Sequence, residues 1–348
     1  MINKLLLSAA IVLSGATTIE AAQKKSAKVE KQLAAQCDAG LRSITEDAAR
    51  AHVYFLADDL LEGRRAGERG SRIAKQYIIS QIRQAGLKPF LGDSYEQPFE
   101  ACAVQKLKRG VRYFVEADSV AEIKKQVHRT MYLSNVLAVL PGKKTDEMVV
   151  VGAHLDHEGV YNDIEGDKIY NGADDNASGV SAALQIAHAF ATAGVQPERN
   201  IVFAFWDGEE IGLLGSRFFM QTCAFADKIK GYLNFDMIGR NNKPENPPYV
   251  VYFYTAAHPV FGDWLKNDIK QYNLHLDPDY RAWDKPVGGS DNGTFAKRDI
   301  PIIWYHTDGH PDYHMPGDEA QKINYEKVTD ISRAAFLNLW NLANEKSY

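Results

Sequence analysis

Apolar and polar positions along this chain follow two alternating periods. From Ser71 to Gly86 the residues Ile73, Tyr77, Ile78, Ile82 and Ala85 recur at helical spacing, and Gly86 and Pro89 stop the run. Asn135 to Leu140, closed by Pro141-Gly142, reads as a strand and a turn. Met148 to Ala153 is a continuous apolar run, the mark of a strand covered on both faces. Asn176 to Ala193 reads as a helix with Val180, Ala183, Leu184, Ala187 and Phe190 inward, capped by Asn176 and closed by Gly194. Ile201–Trp206, Tyr232–Phe235, Val250–Tyr254 and Ile302–Trp304 are further strands. The last helix spans about Tyr325 to Ala343, with Val328, Ile331, Ala335, Leu339 and Leu342 on one stripe.

Strands alternating with helices predict an α/β three-layer sandwich around a mixed, mostly parallel central sheet. Residues 23–45 read as a polar lead-in. The stretch from Tyr95 to Thr130 fits the alternation least and is expected to be an inserted flap or an edge hairpin. With no repeat, low-complexity tract or linker, residues 23–348 are expected to form one domain.

Composition narrows the class. Of 348 residues, 45% are apolar and 24% charged, which is ordinary globular material. The net charge of -5 argues against a nucleic-acid binder, since such proteins carry basic patches. At the N-terminus Lys4 precedes an apolar run from Leu5 to Ile19, too short to span a membrane comfortably, that ends at Glu20-Ala21-Ala22. Residues 1–22 are therefore expected to be a signal peptide, and the destination the periplasm or the medium. No later run has membrane length. Of the three cysteines, Cys37, Cys102 and Cys223, one pair is free to form a disulfide after export, and none is spaced for zinc.

The chemistry sits just past the strands, where open α/β sheets build their sites. His154 and Asp156 follow the Met148–Ala153 run. Asp174-Asp175-Asn176 stands at a helix start, one polar residue more than capping needs twice over. Glu209-Glu210 follows Ile201–Trp206, and adjacent glutamates beside apolar flanks are costly unless paired or metal-bound. Asp236 ends Tyr232–Phe235, and His314 lies in a late loop. His154, Asp175, Glu210, Asp236 and His314 are nitrogen and oxygen donors without a thiolate, as suits catalytic zinc. One Asp shared between two metals leaves each with a His, a further carboxylate and an open position for water. Glu209 is the carboxylate left over, placed to act as a general base toward the water that the metals bridge. His157, His306 and His310 read as supporting or surface residues.

At these motifs the chain resembles the M28 family of zinc exopeptidases: His-x-Asp, Gly-Ala-Asp-Asp-Asn-Ala-Ser-Gly, Glu-Glu-x-Gly, Asp-Met-Ile-Gly and Tyr-His, in that order over residues 45–345, with a softer N-terminal phrase at Leu60-Leu61-Glu62-Gly63-Arg64 and Gly67. The family includes secreted bacterial aminopeptidases, glutamate carboxypeptidase II, the transferrin receptor and the glutaminyl cyclases. The resemblance implies two Zn²⁺ per chain and a peptide substrate. It makes His154 and Asp236 ligands, Asp175 the bridge, Glu210 and His314 ligands, and Glu209 the base. Asp156 then orients His154, and Tyr313 helps hold the oxyanion. Where many relatives continue Gly-Ser-Asp with His, this chain has Asn292 after Gly289-Ser290-Asp291, a departure that touches the substrate pocket and not the metals. The implied activity is that of an aminopeptidase. A carboxypeptidase, a one-zinc glutaminyl cyclase and a receptor-like module without metals are the other readings, and the complete ligand set disfavours the last.

Overall fold

Every apolar run read as a strand is one. The structure is a computed structural model that describes residues 28–106, 110–283 and 288–348; the expected signal peptide, residues 1–22, lies outside them. Helix α1 covers residues 28–42, so the expected polar lead-in is largely helical and seats Cys37 and Leu41 in the core. There follow α2 (Glu46–Leu56), α3 (Arg69–Gln84), β1 (Lys88–Pro89), β2 (Glu96–Lys106), β3 (Gly110–Phe114), α4 (Ala117–Ile123), β4 (Arg129–Leu140) and β5 (Lys144–His154). A small hairpin of β6 (Gly159–Val160) and β7 (Ile169–Tyr170) precedes α5 (Gly179–Ala193), β8 (Arg199–Trp206), α6 (Leu214–Thr222) and β9 (Ile229–Phe235). The chain closes with β10 (Tyr249–Thr255), α7 (Val260–Tyr272), β11 (Asp277–Trp283), α8 (Asn292–Ala296), β12 (Ile302–His306) and α9 (Tyr325–Asn344).

The main sheet runs β11-β10-β12-β9-β5-β8-β4-β2-β3, with β1 paired to β4. Its centre, β12-β9-β5-β8, is parallel, as is β10-β11 at one edge, while the β8-β4-β2-β3 half is antiparallel. The sheet is mixed, and parallel where three consecutive strand ends meet. The awkward Tyr95–Thr130 stretch is the edge hairpin β2–β3 followed by α4.

Because side chains alternate across a strand, the apolar runs feed two cores. Val149, Val151 and Ala153 of β5 with Ile201, Phe203 and Phe205 of β8 face α2, α3, α5, α7 and α9. Met148, Val150, Val202, Ala204 and Trp206 face the other way, against Phe219 and Met220 of α6 and Phe295 of α8. The α9 stripe is wholly buried, as its period requires. Three layers result. Helix α5 is regular from Gly179, and Asn176 caps it as expected: its backbone is non-helical and its Oδ1 accepts from the Gly179 N–H three residues on. Its end at the left-handed Gly194 is as expected. Cys37, Cys102 and Cys223 are all free thiols, the first two buried, so the expected pairing is not made. No helix among the described residues is long and apolar enough to cross a membrane.

Candidate metal centre

Strand order brings the acidic motifs together. In register, Gly152 of β5 lies beside Asn234 of β9, and His154 beside Trp206 of β8. The residues that leave these strands, His154, Asp236 and Glu209-Glu210, therefore converge at one edge. Asp175 arrives from the turn ahead of α5, and His314 from the loop after β12.

The shared carboxylate is Asp175. Its Oδ1 lies 3.2 Å from His154 Nε2, and Asp236 Oδ1 is 3.5 Å from the same nitrogen. Its Oδ2 lies 3.2 Å from His314 Nε2, which is 3.1 Å from Glu210 Oε2. One carboxylate thus faces two donor sets, His154 with Asp236 and His314 with Glu210. His157, set aside from the sequence, is buried in the second set, with Nδ1 2.8 Å from Glu210 Oε1 and 3.7 Å from Asp175 Oδ2. The triads His154/Asp175/Asp236, His157/Asp175/Glu210 and Glu158/Glu210/His314 each bring ligand atoms within 4.8 Å of one another. His306 and His310 are second-rank neighbours: His306 Nδ1 is 2.6 Å from the Asp236 carbonyl, and His310 Nε2 is 3.3 Å from Asp174 Oδ2.

The electrostatics ask for cations. Burial opposes charge on His154, but the carboxylates of Glu209, Asp236 and Asp175 override it and hold the imidazole well above its usual range. His314, despite burial, is pushed up to about 10 by Asp175 and Glu210. Burial opposes ionisation of Asp175 too, yet His154 and His314 keep it well below the carboxylate range. Glu209 departs from this pattern. Burial, then repulsion from Asp236, Asp291 and Glu210, drives it well above its usual value, and only His154 pulls the other way. A field that draws protons onto two buried or half-buried imidazoles is one that dications fit, and the oxygen–nitrogen donor chemistry is that of catalytic zinc.

Several residues without metal-ligand character hold the donors in place. The Asp318 carboxylate accepts from the Asp174 and Asp175 N–H groups at 3.0–3.1 Å, and Asp174 Oδ1 accepts from the Gly239 N–H, so both acids of the pair are stapled down. Gly172 (φ 59°) sets the entry to this turn, and a Cβ there would meet the Asp175 carbonyl at 2.2 Å and the His157 ring at 2.5 Å. Arg64, from the softer N-terminal phrase, is buried and donates to four carbonyls: Leu56 at 2.5 Å, Leu155 at 2.9 Å, Asn171 at 2.6 Å and Gly172 at 2.9 Å. It ties the His154 loop to the Asp175 turn. The sequence marks no role for Arg64 or Asp318, and it marks His157 only as a supporting or surface residue. The adjacency of Gly63-Arg64 to an otherwise unexplained motif was the available signal for the first. Arg64, Met237 and His314 adopt φ of 50°, 57° and 51°, and left-handed backbone at non-glycine residues costs about 1 kcal/mol or more each, which packing around the site sustains.

Beside the donors lies a cleft of about 290 Å³ lined by Asp175, Glu209, Glu210, Asp236, Trp304 and Tyr313, among others, and by no Lys or Arg among the described residues. Tyr313 is half exposed, stacks on His314 with ring centroids 3.9 Å apart, and borders the cleft. Asp156 contacts its neighbours differently from expectation. Its main-chain carbonyl is 3.2 Å from His154 Nδ1, while its carboxylate is 3.9 Å from that nitrogen and accepts from the Glu209 N–H at 3.1 Å. Gly289 reaches the cleft, whereas Asn292 is buried at the start of α8. Arg240 is taken up by the fold: its Nη2 is 2.6 Å from Asp312 Oδ2, and its Nη1 is 3.6 Å from Asp318 Oδ1.

A carboxylate that faces two histidine–carboxylate sets at the carboxyl edge of a parallel α/β core is an arrangement that could hold metal ions. Comparison with known sequences agrees: residues 135–338 match the description of peptidase family M28, and the chain belongs to that family. It is 33% identical over 192 residues to leupeptin-inactivating enzyme 1 of Streptomyces exfoliatus, a match covering 54% of this chain and 38% of that protein. The chain spans half or less of the length of the first curated relatives it matches. Its fold is that of BSAP, a zinc aminopeptidase from Bacillus subtilis, at 13% identity and a TM-score of 0.65, with 88% of this chain and 97% of that one covered. The glutaminyl cyclase of Fimbriiglobus ruber shares the fold, at 16% identity and a TM-score of 0.64, over 85% and 95% of the two chains.

Proposed function

We propose that this protein is an exported aminopeptidase that uses two zinc ions to hydrolyse the first peptide bond of a substrate with a free N-terminus. The observation that carries this reading is the pairing of a shared carboxylate, Asp175, with an adjoining cleft that holds four carboxylates and no Lys or Arg among the described residues. An α-ammonium is attracted to that lining, whereas an α-carboxylate needs a cation there.

In this reading His154, Asp175 and Asp236 hold one ion, and Asp175, Glu210 and His314 the other, with His157 against Glu210. Zinc in such a site supplies Lewis-acid polarisation of the carbonyl and a more acidic water. Glu209, its basicity raised by burial and like charge, accepts as the carboxylate the proton of the attacking water and returns it to the leaving amine. The Asp156 carboxylate, accepting from the Glu209 N–H, fixes that residue's backbone between β8 and the site. Tyr313 is placed on the rim to donate to the oxygen of the tetrahedral intermediate.

The test is metal content together with product release. Gently purified protein should hold close to two zinc ions per chain, and a free dipeptide should be cut while its N-acetyl form is not. Cleavage of the acetylated form would make the protein a carboxypeptidase. One ion per chain, with cyclisation of N-terminal Gln and no hydrolysis, would make it a cyclase.

A further inference from the structure

A second cavity, of about 190 Å³, shares Glu210 with the acidic cleft. Unlike the cleft it carries cations as well as acids. Arg65 and Arg129 line it, with Tyr113, Tyr161 and Met131, and it reaches the site at His157 and Glu210. Neither guanidinium has an ion-pair partner among the described residues. Arg65 is half-buried: its Nε donates to the Glu158 carbonyl at 2.7 Å, its plane lies 4.6 Å from the Tyr161 ring centre, and its buried Nη2 has no hydrogen-bond partner. Its backbone bridges to that of His157, which ties its position to the donor set. His157 is 1% exposed, and its Nε2 likewise lacks a partner. Buried donors left unpaired are uncommon in folded proteins and call for a ligand.

Four acids share the cavity without answering that need: Glu210 is held by His157 and His314, and Asp156 accepts from the Glu209 N–H. Glu158 accepts from the Tyr161 hydroxyl at 2.5 Å and faces His314 Nδ1 at 3.6 Å, and Glu68 is exposed. Arg129, the first residue of β4, is exposed, and its one side-chain hydrogen bond among the described residues is to Met131 Sδ at 3.4 Å.

With the ammonium end of a substrate in the acidic cleft and the scissile bond at Asp175 and Glu210, the leaving group continues past Glu210. We propose that the Arg65–Arg129 cavity receives the residue on the leaving side and binds a carboxylate that it carries. The cavity is smaller than the 300–1,000 Å³ of ordinary ligand pockets, so it holds one residue and not an extended chain. The preferred substrates are then dipeptides, whose second residue ends in an α-carboxylate, or peptides with Asp or Glu second. This inference rests on the aminopeptidase reading and adds the substrate class.

The zinc-loaded full chain is assayed for hydrolysis of the bond after Leu, read as release of the second residue or its amide, from Leu-Gly, Leu-Gly-amide, Leu-Glu-amide, Leu-Gln-amide and N-acetyl-Leu-Gly. Charge-assisted hydrogen bonds of this kind predict about tenfold or more in kcat/KM for Leu-Gly over its amide, or for Leu-Glu-amide over Leu-Gln-amide, carried mainly by KM. The first preference identifies the α-carboxylate as the ligand, the second the side chain. Arg129→Met, at an exposed position with little folding risk, and Arg65→Met should each bring the favoured ratio toward one. Equal rates for each carboxylate–neutral pair, or a preference unchanged in both variants, overturns the carboxylate subsite and leaves the aminopeptidase reading standing. Cleavage of N-acetyl-Leu-Gly overturns that reading itself.

Discussion

At the scale of single residues, two side chains divide the work of the centre. Glu209 lies within 4.8 Å of His154 and Glu210 but faces neither half of the Asp175 bridge, and burial with neighbouring acids raises its carboxyl well above the usual range, which makes it the stronger base of the adjacent pair. Glu209→Gln is expected to keep the zinc content and lower kcat by about 10²–10⁴-fold, the scale of a general base, while Glu210→Gln lowers the zinc content. Near-normal turnover in Glu209→Gln would remove the role given to it. Arg64 acts at one remove. Burial pulls its guanidinium down to about 10, against the attraction of Asp175, Asp318, Asp156 and Glu210, and all its hydrogen bonds go to main-chain carbonyls. Arg64→Met strands those carbonyls, so stability should fall by about 3–5 kcal/mol and zinc affinity by about 10–100-fold. Arg64→Lys, which keeps charge but not the planar fork, should recover only part of both. Urea unfolding with a zinc titration reads the two effects, and full rescue by Lys would show that charge alone matters there.

At the scale of elements, periodicity carried the reading because burial on both faces leaves an unbroken apolar run. Met148–Ala153 and Ile201–Trp206 are β5 and β8, and their ends deliver His154 and Glu209-Glu210. Local pattern reaches as far as the cap and no further. Asn176 caps the helix through the Gly179 N–H, while the turn that leaves Asp175 facing both histidines has no local signature. Arg64, His157 and Asp318 act through contacts with segments far away in sequence, and no local period encodes those. The helix pair α7 and α9 hides another such contact. Asp268 on α7 is buried, with its Oδ2 3.3 Å from Asn338 Nδ2 on α9, and burial pushes its carboxyl up to about 7. With the folded value above the unfolded one near 3.8, the native state binds the extra proton between these pH values. Stability from this group is therefore complete below about pH 4 and is lost as pH rises toward 7. Asp268→Asn removes the buried charge while keeping an acceptor for Asn338. It should stabilise the protein by on the order of 2–4 kcal/mol at pH 8 and leave it unchanged near pH 4. Thermal melts at the two pH values compare them, and an equal shift at both would rule out the ionisation.

At the scale of the whole molecule, sheet topology makes one small region the meeting point of β5, β8 and β9 and of loops from both halves of the chain. The carboxylates gathered there repel one another unless cations or protons intervene. Without metal, histidines do the intervening: His154 is held well above its usual range, and His314 near 10, by the surrounding acids. Both are raised above the unfolded 6.5, so the stability they supply is fully present below pH 6.5, and that of His314 is lost as pH rises toward 10. Because His314 is half exposed, its share is discounted for screening to about 1–2 kcal/mol. Bound zinc replaces those protons and adds RT ln(1 + [L]/Kd), about 2.7 kcal/mol at a hundredfold excess over Kd. Protons compete with zinc for the same imidazoles at low pH, which acts in the same direction. The gap in Tm between zinc-loaded and chelator-treated protein is thus expected to be small at pH 6 and several degrees larger at pH 9, with the chelated form the one that moves. Scanning calorimetry at both pH values, with zinc or with EDTA, measures it. A chelated form that grows more stable from pH 6 to pH 9 would show that the histidines do not neutralise the cluster, and that the acids at the sheet edge are balanced in another way.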